Sequence, residues 1–275
     1  MAVMVCLLGA GACDRASEPE KPAAAATPTT TAPVSRPAPD TKALESAPGS
    51  TPPLADAVAP ATAPLPDLDG TPGPSPAAGR LDAPVRVYVF TDYQCPVCRR
   101  ALEPLKLLVR SRPDDVVLVV KQAPSPRHTY AADAAAAVLA AFRQGKFWAY
   151  QDALYADQRA LARSELVATA RRSGLDVEAF SRDLDGEAVQ AQVRYEAALA
   201  GSLGLDATPS LVINGHVQRG WGSYRGLEAL VERELARART IAAEGVEATR
   251  VAYEATRRAG ADGERLAAAL FEPAS

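Results

Sequence analysis

Four residues, Cys95-Pro96-Val97-Cys98, constrain this chain more than any others. They follow the apolar run Val85-Arg86-Val87-Tyr88-Val89-Phe90 and precede a helical pattern, so both sulfurs belong to a strand-to-helix turn. In the first turn of a helix, residues i and i+3 lie on one face, close enough to bridge with little distortion. Cys95 falls at or just before the helix start, where unpaired backbone N–H groups and the positive end of the dipole favour a negative charge. That lowers a thiol's pKa and makes Cys95 the candidate attacking thiolate, with the less exposed Cys98 as the resolving thiol. Pro96 suits a first helical position, because its missing N–H would have no partner there anyway. The remaining cysteines, Cys6 and Cys13, lie in the N-terminal apolar segment and leave the pair no third thiol in the folded region.

Competing uses of these side chains are weaker on chemical grounds. A two-residue loop makes a poor structural disulfide, since closing it constrains little of the unfolded chain. A metal site needs two further soft or imidazole ligands. Only His128 and His216 could supply imidazole, and no metal is expected. His128 precedes a helix and reads as a capping or packing residue, His216 as an exposed strand residue. Phe147 and Trp148 read as core. Trp221 is either core or part of a substrate-facing rim.

The chain cannot all be one core. Residues 14–79 hold 15 of the 23 prolines, and no aromatic residue occurs before Tyr88. Such a segment buries too little apolar surface to offset chain entropy and is expected to be a disordered, partly extended linker. The remaining stretch of about 195 residues suits a single domain with a sizeable core. Basic and acidic residues are interspersed and the net charge is −3, with no basic stripe for nucleic acid. Residues 1–12 are almost wholly apolar, too short to span a bilayer and suited to a signal-peptide core. Ala10-Gly11-Ala12 followed by Cys13 resembles a bacterial lipobox. That resemblance implies lipidation of Cys13, with the linker as a tether and an extracytoplasmic, periplasmic setting. Plain secretion or an uncleaved anchor are the alternatives. No basic residue precedes the apolar run, and Ala10 stands where leucine is usual.

Periodicity places strands at 85–91 and 116–121 around a helix from Pro96 to about residue 110, with Pro104 expected to kink it. Helical patterns then run over 130–142, 146–155, 163–172, 177–184 and 187–203, punctuated by Gly145, Gly174 and Gly186. Strands return at 210–213 and 216–220 around Asn214-Gly215, a type I′ hairpin signal. Ser223 reads as the N-cap of a helix to about residue 243. Helical patterns over 247–258 and 264–271 complete the chain. The order βαβ, helical block, hairpin and helix is an α/β thioredoxin fold with an inserted helical block. The domain is expected over 80–245, with the insert at about 128–205 and a helical C-terminal extension over 246–275.

Several motifs in this order resemble the DsbA-like branch of the thioredoxin superfamily. They are Asp82-Ala83-Pro84-Val85, Phe90-Thr91-Asp92-Tyr93-Gln94-Cys95-Pro96-Val97-Cys98, Gln144-Gly145-Lys146-Phe147-Trp148, and Thr208-Pro209-Ser210-Leu211-Val212-Ile213-Asn214-Gly215. The resemblance implies a cis Pro209 packed beside the dithiol and a Thr208 backbone that pairs with an extended substrate segment. It also implies catalytic Cys95 and Cys98 in an active-site loop with Pro96 and Val97, exchanging disulfides with protein substrates. A membrane redox partner would recycle the pair, and no organic cofactor is needed.

Two positions depart from that branch. Val97 stands where the strongest oxidants have histidine, so a less oxidising couple is expected, within about −270 to −120 mV. Val89 stands where many relatives have a buried acid, and Asp92, as a turn residue, is expected to be solvated. Disulfide formation is favoured over isomerisation, because the linker occupies the place of an isomerase's dimerisation domain. The alternative from another class is a non-enzymatic, thioredoxin-like binding lipoprotein that holds a partner or a copper ion.

Overall fold

The computed structural model describes residues 73–271. The leader with Cys6 and Cys13, and the linker up to residue 72, lie outside them. A five-stranded sheet runs in the order β1-β3-β2-β4-β5, formed by β1 (Ala77–Ala78), β2 (Val85–Thr91), β3 (Val116–Gln122), β4 (Ser210–Ile213) and β5 (His216–Arg219). β2 and β3 pair in parallel from Val85 opposite Val116 to Thr91 opposite Gln122. They are joined through α1 (Pro96–Ser111), whose helix continues through Pro104. β1 lies antiparallel to β3, and β4 is antiparallel to both β2 and β5. β1 was not anticipated. It is two alanines long and has no period to read, and it brings into the sheet residues whose composition placed them in the linker.

Both faces of the central strands are buried, which is why they read as near-continuous apolar runs. Alternation sorts their side chains into two cores. Val85, Val87, Val89, Leu118, Val120, Leu211 and Ile213 face one, with Leu105 and Leu108 of α1 and Leu227 and Val231 of α7 (Tyr224–Ala243). Tyr88, Phe90, Val117, Val119 and Val212 face the other. The inserted block comprises α2 (Ala131–Arg143), α3 (Phe147–Ala156), α4 (Arg163–Arg172), α5 (Val177–Asp185) and α6 (Glu187–Ser202). In α2 every residue from Ala134 to Phe142 is buried, because alanine leaves helices free to approach it on all sides. Asp176 caps α5 by accepting from the Glu178 and Ala179 N–H groups. Ser223 caps α7 through the Gly226 N–H at 3.1 Å, at the position read from sequence.

Asn214 and Gly215 both take positive φ, 44° and 87°, as a type I′ turn demands. The Asn214 side chain accepts from the Arg86 N–H and donates to the Pro84 carbonyl, each at 2.9 Å, tying the hairpin to the start of β2. A Cβ at residue 215 would lie 2.5 Å from that of Ala259, so the turn also seats the chain after α8 (Ala248–Arg257). α9 (Gly263–Phe271) lays Leu266 and Leu270 on the second face of the sheet beside Leu199 and Leu203. The Tyr88 hydroxyl donates to the Leu270 carbonyl at 2.7 Å, and Phe271 meets the Tyr88 ring edge-on. The C-terminal helices thus complete the second core. Among the described residues no helix is long and apolar enough to cross a membrane.

Leu266 is 2 % exposed, and Leu266→Ala is expected to cost about 2–4 kcal/mol in urea unfolding. A change within error would mean that α9 does not cover the sheet in solution.

Candidate functional site

The register of the sheet decides what meets the cysteines. β2 and β4 are antiparallel with Phe90 opposite Ser210, so the residues after Phe90 and those before Ser210 emerge at the same end. The Cys95 thiol accordingly lies 3.4 Å from the Thr208 carbonyl oxygen, 113 positions away in sequence. The Thr208–Pro209 peptide is cis. The Pro209 carbonyl accepts from the Gly220 N–H at 2.8 Å, which anchors this loop to the end of β5.

Cys95 is the N-cap of α1, with extended backbone, and Pro96 follows in the first turn. Its N–H donates to the Asp92 carbonyl at 3.2 Å. The Gln158 amide donates to the carbonyls of Tyr93 at 2.8 Å and Cys95 at 2.9 Å, clamping the approach to the helix. Both cysteines are free thiols, 7 % and 2 % exposed. Their environments drive them apart. A hydrogen bond from the Cys98 thiol lowers Cys95 to about 5, against the opposing effect of burial, with help from the Cys98 and Val97 backbone and the Thr208 side chain. Burial, and then the bond to Cys95, push Cys98 far up. The environment thus favours the thiolate at Cys95 and the protonated thiol at Cys98, the division on which thiol–disulfide exchange relies.

Behind Cys98 lies a cavity of about 10 Å³, lined by Thr91, Gln151 and Tyr155 among apolar side chains, close to the room one water needs. Thr91 and Tyr155 hydroxyls lie 2.7 Å apart, and the Tyr93 hydroxyl donates to Gln151 Oε1 at 3.2 Å. Val89 faces the first core. The surroundings of Cys98 are therefore polar but uncharged on that side.

The expectation that Asp92 is solvated is overturned. It is 1 % exposed, because three donors converge on its carboxylate: Gln94 N–H at 2.7 Å, Ser125 N–H at 2.8 Å and His128 Nδ1 at 2.8 Å. His128 is not the cap of α2, which is Tyr130; its carbonyl accepts from the Ala131 N–H in the turn before the helix, and its ring packs on Asp92. Gln158 and the Asp92–His128 pair were not anticipated. An acidic residue three positions before Cys95 was the one available signal. His216 is exposed. Phe147 and Trp148 are buried and packed edge to face. Trp221 is half-buried, packed on the first core. Pro96 is exposed and Val97 half-buried. Cys13 lies outside the described residues. Among those residues no group of three or more His, Cys, Asp or Glu side chains could hold a metal ion.

Comparisons with known proteins agree with this geometry. A family model described as Thioredoxin matches residues 71–233. A thioredoxin-like oxidoreductase from Silicibacter pomeroyi DSS-3 is 33 % identical, with a TM-score of 0.54 over 61 % of this chain and 93 % of that one. The catalytic domain of Proteus mirabilis ScsC is 25 % identical, with a TM-score of 0.53 over 62 % and 93 %. The Na(+)/H(+) antiporter NhaA of Herminiimonas arsenicoxydans is 34 % identical over 167 residues, 61 % of this chain. The chain spans only about a quarter, 26 %, of that relative's length. With a strand-to-helix dithiol beside the carbonyl of a cis Thr208–Pro209 peptide, a sheet of this order and a family match over more than half of its length, the chain belongs to the thioredoxin family, structurally close to the Silicibacter pomeroyi oxidoreductase and the Proteus mirabilis ScsC domain.

Proposed function

We propose that this protein is an exported thiol:disulfide oxidoreductase that exchanges disulfides with protein substrates through Cys95 and Cys98. The observation that carries this reading is the split between the sulfurs: an acidic thiol at a helix N-terminus, against a buried thiol that keeps its proton. The Cys95 thiolate attacks a substrate disulfide and expels one substrate thiolate, forming a mixed disulfide. Deprotonated Cys98 then attacks Cys95 Sγ, releasing the second substrate thiol and leaving the protein oxidised. In the forming direction every step reverses: a substrate thiolate attacks Cys95 Sγ of the oxidised pair. The two cysteines carry both electrons, so no organic cofactor is required. Thr208 presents its backbone beside Cys95 to an extended substrate segment, with Pro209 as the wall of that cleft, and Pro96 and Val97 form the opposite lip.

Disulfide formation is the assigned direction, with a membrane partner that reoxidises the pair. Export through the N-terminal segment and a lipid on Cys13 would tether the domain outside the cytoplasm, where thiols are oxidised. In the antiporter relative the matching segment is part of a longer chain, in keeping with a module that works attached to something else. Val97 offers Cys95 a backbone N–H but no side-chain donor, so the couple should be milder than those with a polar residue there.

Cys95→Ser is expected to abolish both insulin-disulfide reduction and refolding of reduced ribonuclease; retained turnover would discard the mechanism. Alkylation of the reduced protein should rise through about pH 5 and be level by neutral pH, because the thiolate is the reacting form. A rise only in the alkaline range would show that Cys95 is an ordinary thiol. Equilibration with glutathione should give a potential nearer about −120 to −180 mV than −270 mV if the protein forms disulfides. A value at the lower end would reverse the assigned direction.

A further inference from the structure

The loop before Cys95 is built on a buried charge that the exchange chemistry above does not use. The Asp92 side chain has 0 % exposure, and that of its partner His128 has 31 %, so the imidazole stands between the carboxylate and solvent. Oδ1 accepts from Gln94 N–H, while Oδ2 accepts from Ser125 N–H and faces His128 Nδ1. The main chain of the same residue reaches the first cysteine: its carbonyl accepts from the Cys95 N–H at 3.2 Å, and its peptide group opposes the burial that pushes the Cys98 thiol up. Gln94, held by Asp92, in turn accepts from the Tyr130 N–H at 2.9 Å through its side chain. One carboxylate therefore ties the dithiol turn to the segment 125–130 that leads into α2.

We propose that Asp92 and His128 form a positioning pair that holds the peptide groups around the dithiol and thereby sets its redox balance. This rests on the reading of Cys95 and Cys98 as a redox couple. A buried carboxylate needs its charge compensated by donors, and among the described residues His128 is the one side chain hydrogen-bonded to the Asp92 carboxylate. The other ionisable groups facing this region do not compensate it. Tyr93 and Tyr155 are held neutral chiefly by their burial, to which the Asp92 charge adds. Glu196, beyond Tyr93, carries the same sign and is paired with Lys121 at 3.3 Å. Without the imidazole, the Asp92 charge would act on the sulfurs less compensated, and the Cys95 thiolate would be disfavoured. A less stable thiolate means a less stable reduced form, hence a disulfide that is harder to reduce.

The test compares His128→Ala, His128→Asn, Asp92→Asn and the double variant Asp92→Asn/His128→Ala in the full chain. Two quantities are read: the midpoint of the Cys95 thiolate absorbance against pH, and the equilibrium constant with glutathione. His128→Ala should raise the midpoint and move the equilibrium threefold to tenfold toward the protein disulfide, up to about 30 mV. His128→Asn, whose amide nitrogen takes the place of Nδ1, should restore both. In the Asp92→Asn background, His128→Ala should change neither further. A lower melting temperature with both readouts unmoved would reduce the pair to a structural contact and overturn the proposal, as would an equal shift in the Asp92→Asn background. Absence of a reversible couple in the unmodified protein would instead refute the redox reading, while the thiolate midpoint would still decide whether the pair acts on Cys95.

Discussion

Two sulfurs three residues apart are made chemically unequal by where one helix begins. Cys95 sits outside the first turn of α1 and Cys98 inside it, so the first meets unpaired backbone N–H groups and the second meets the core. Interaction between the two sulfurs widens the difference, lowering Cys95 and raising Cys98 on top of its burial. Everything else at this end of the molecule keeps that arrangement in register. Gln158 holds the carbonyls before the helix, Asp92 holds the turn, and the chain entering β4 brings the Thr208 carbonyl to Cys95 Sγ.

The scaffold that permits this is a sheet buried on both faces. A parallel β2–β3 pair requires a crossover, here α1, and that crossover starts where β2 stops. The helix N-terminus must then lie at the carboxyl end of the central strand, where open α/β sheets place their chemistry. Covering the opposite face falls to α6 and α9, so the C-terminal helices contribute to the core beneath the strand that carries the site. Arg86 crosses the ring of Phe271 at 4.8 Å, which closes this face at the sheet's other end.

Much of the fold was legible because its signals are local. The runs at 85–91 and 116–121, the Asn-Gly turn and the Ser223 cap each depend on a few neighbouring residues, and the elements formed within a residue or two of the expected places. β1 escaped because two alanines carry no pattern. The role of α9 escaped because an alanine-rich amphipathic segment announces a helix without naming its partner. Asp92 was misjudged for a related reason. An aspartate in a turn is solvated by default, and only Ser125 and His128, 33 and 36 positions away, make its burial tolerable.

The sequence by itself determined that a dithiol opens a helix after a buried strand, that a Thr-Pro pair opens a later strand, and that a helical block separates them. These follow from periodicity, capping and turn chemistry, which act over a few residues. Only the tertiary structure decided that Cys95 meets Thr208, that Asp92 is buried against His128, and that α9 closes the second core. Each of these depends on strand register or on packing between segments tens of residues apart. Burial and hydrogen-bond partners over such distances are properties of the assembled fold, and no local pattern encodes them.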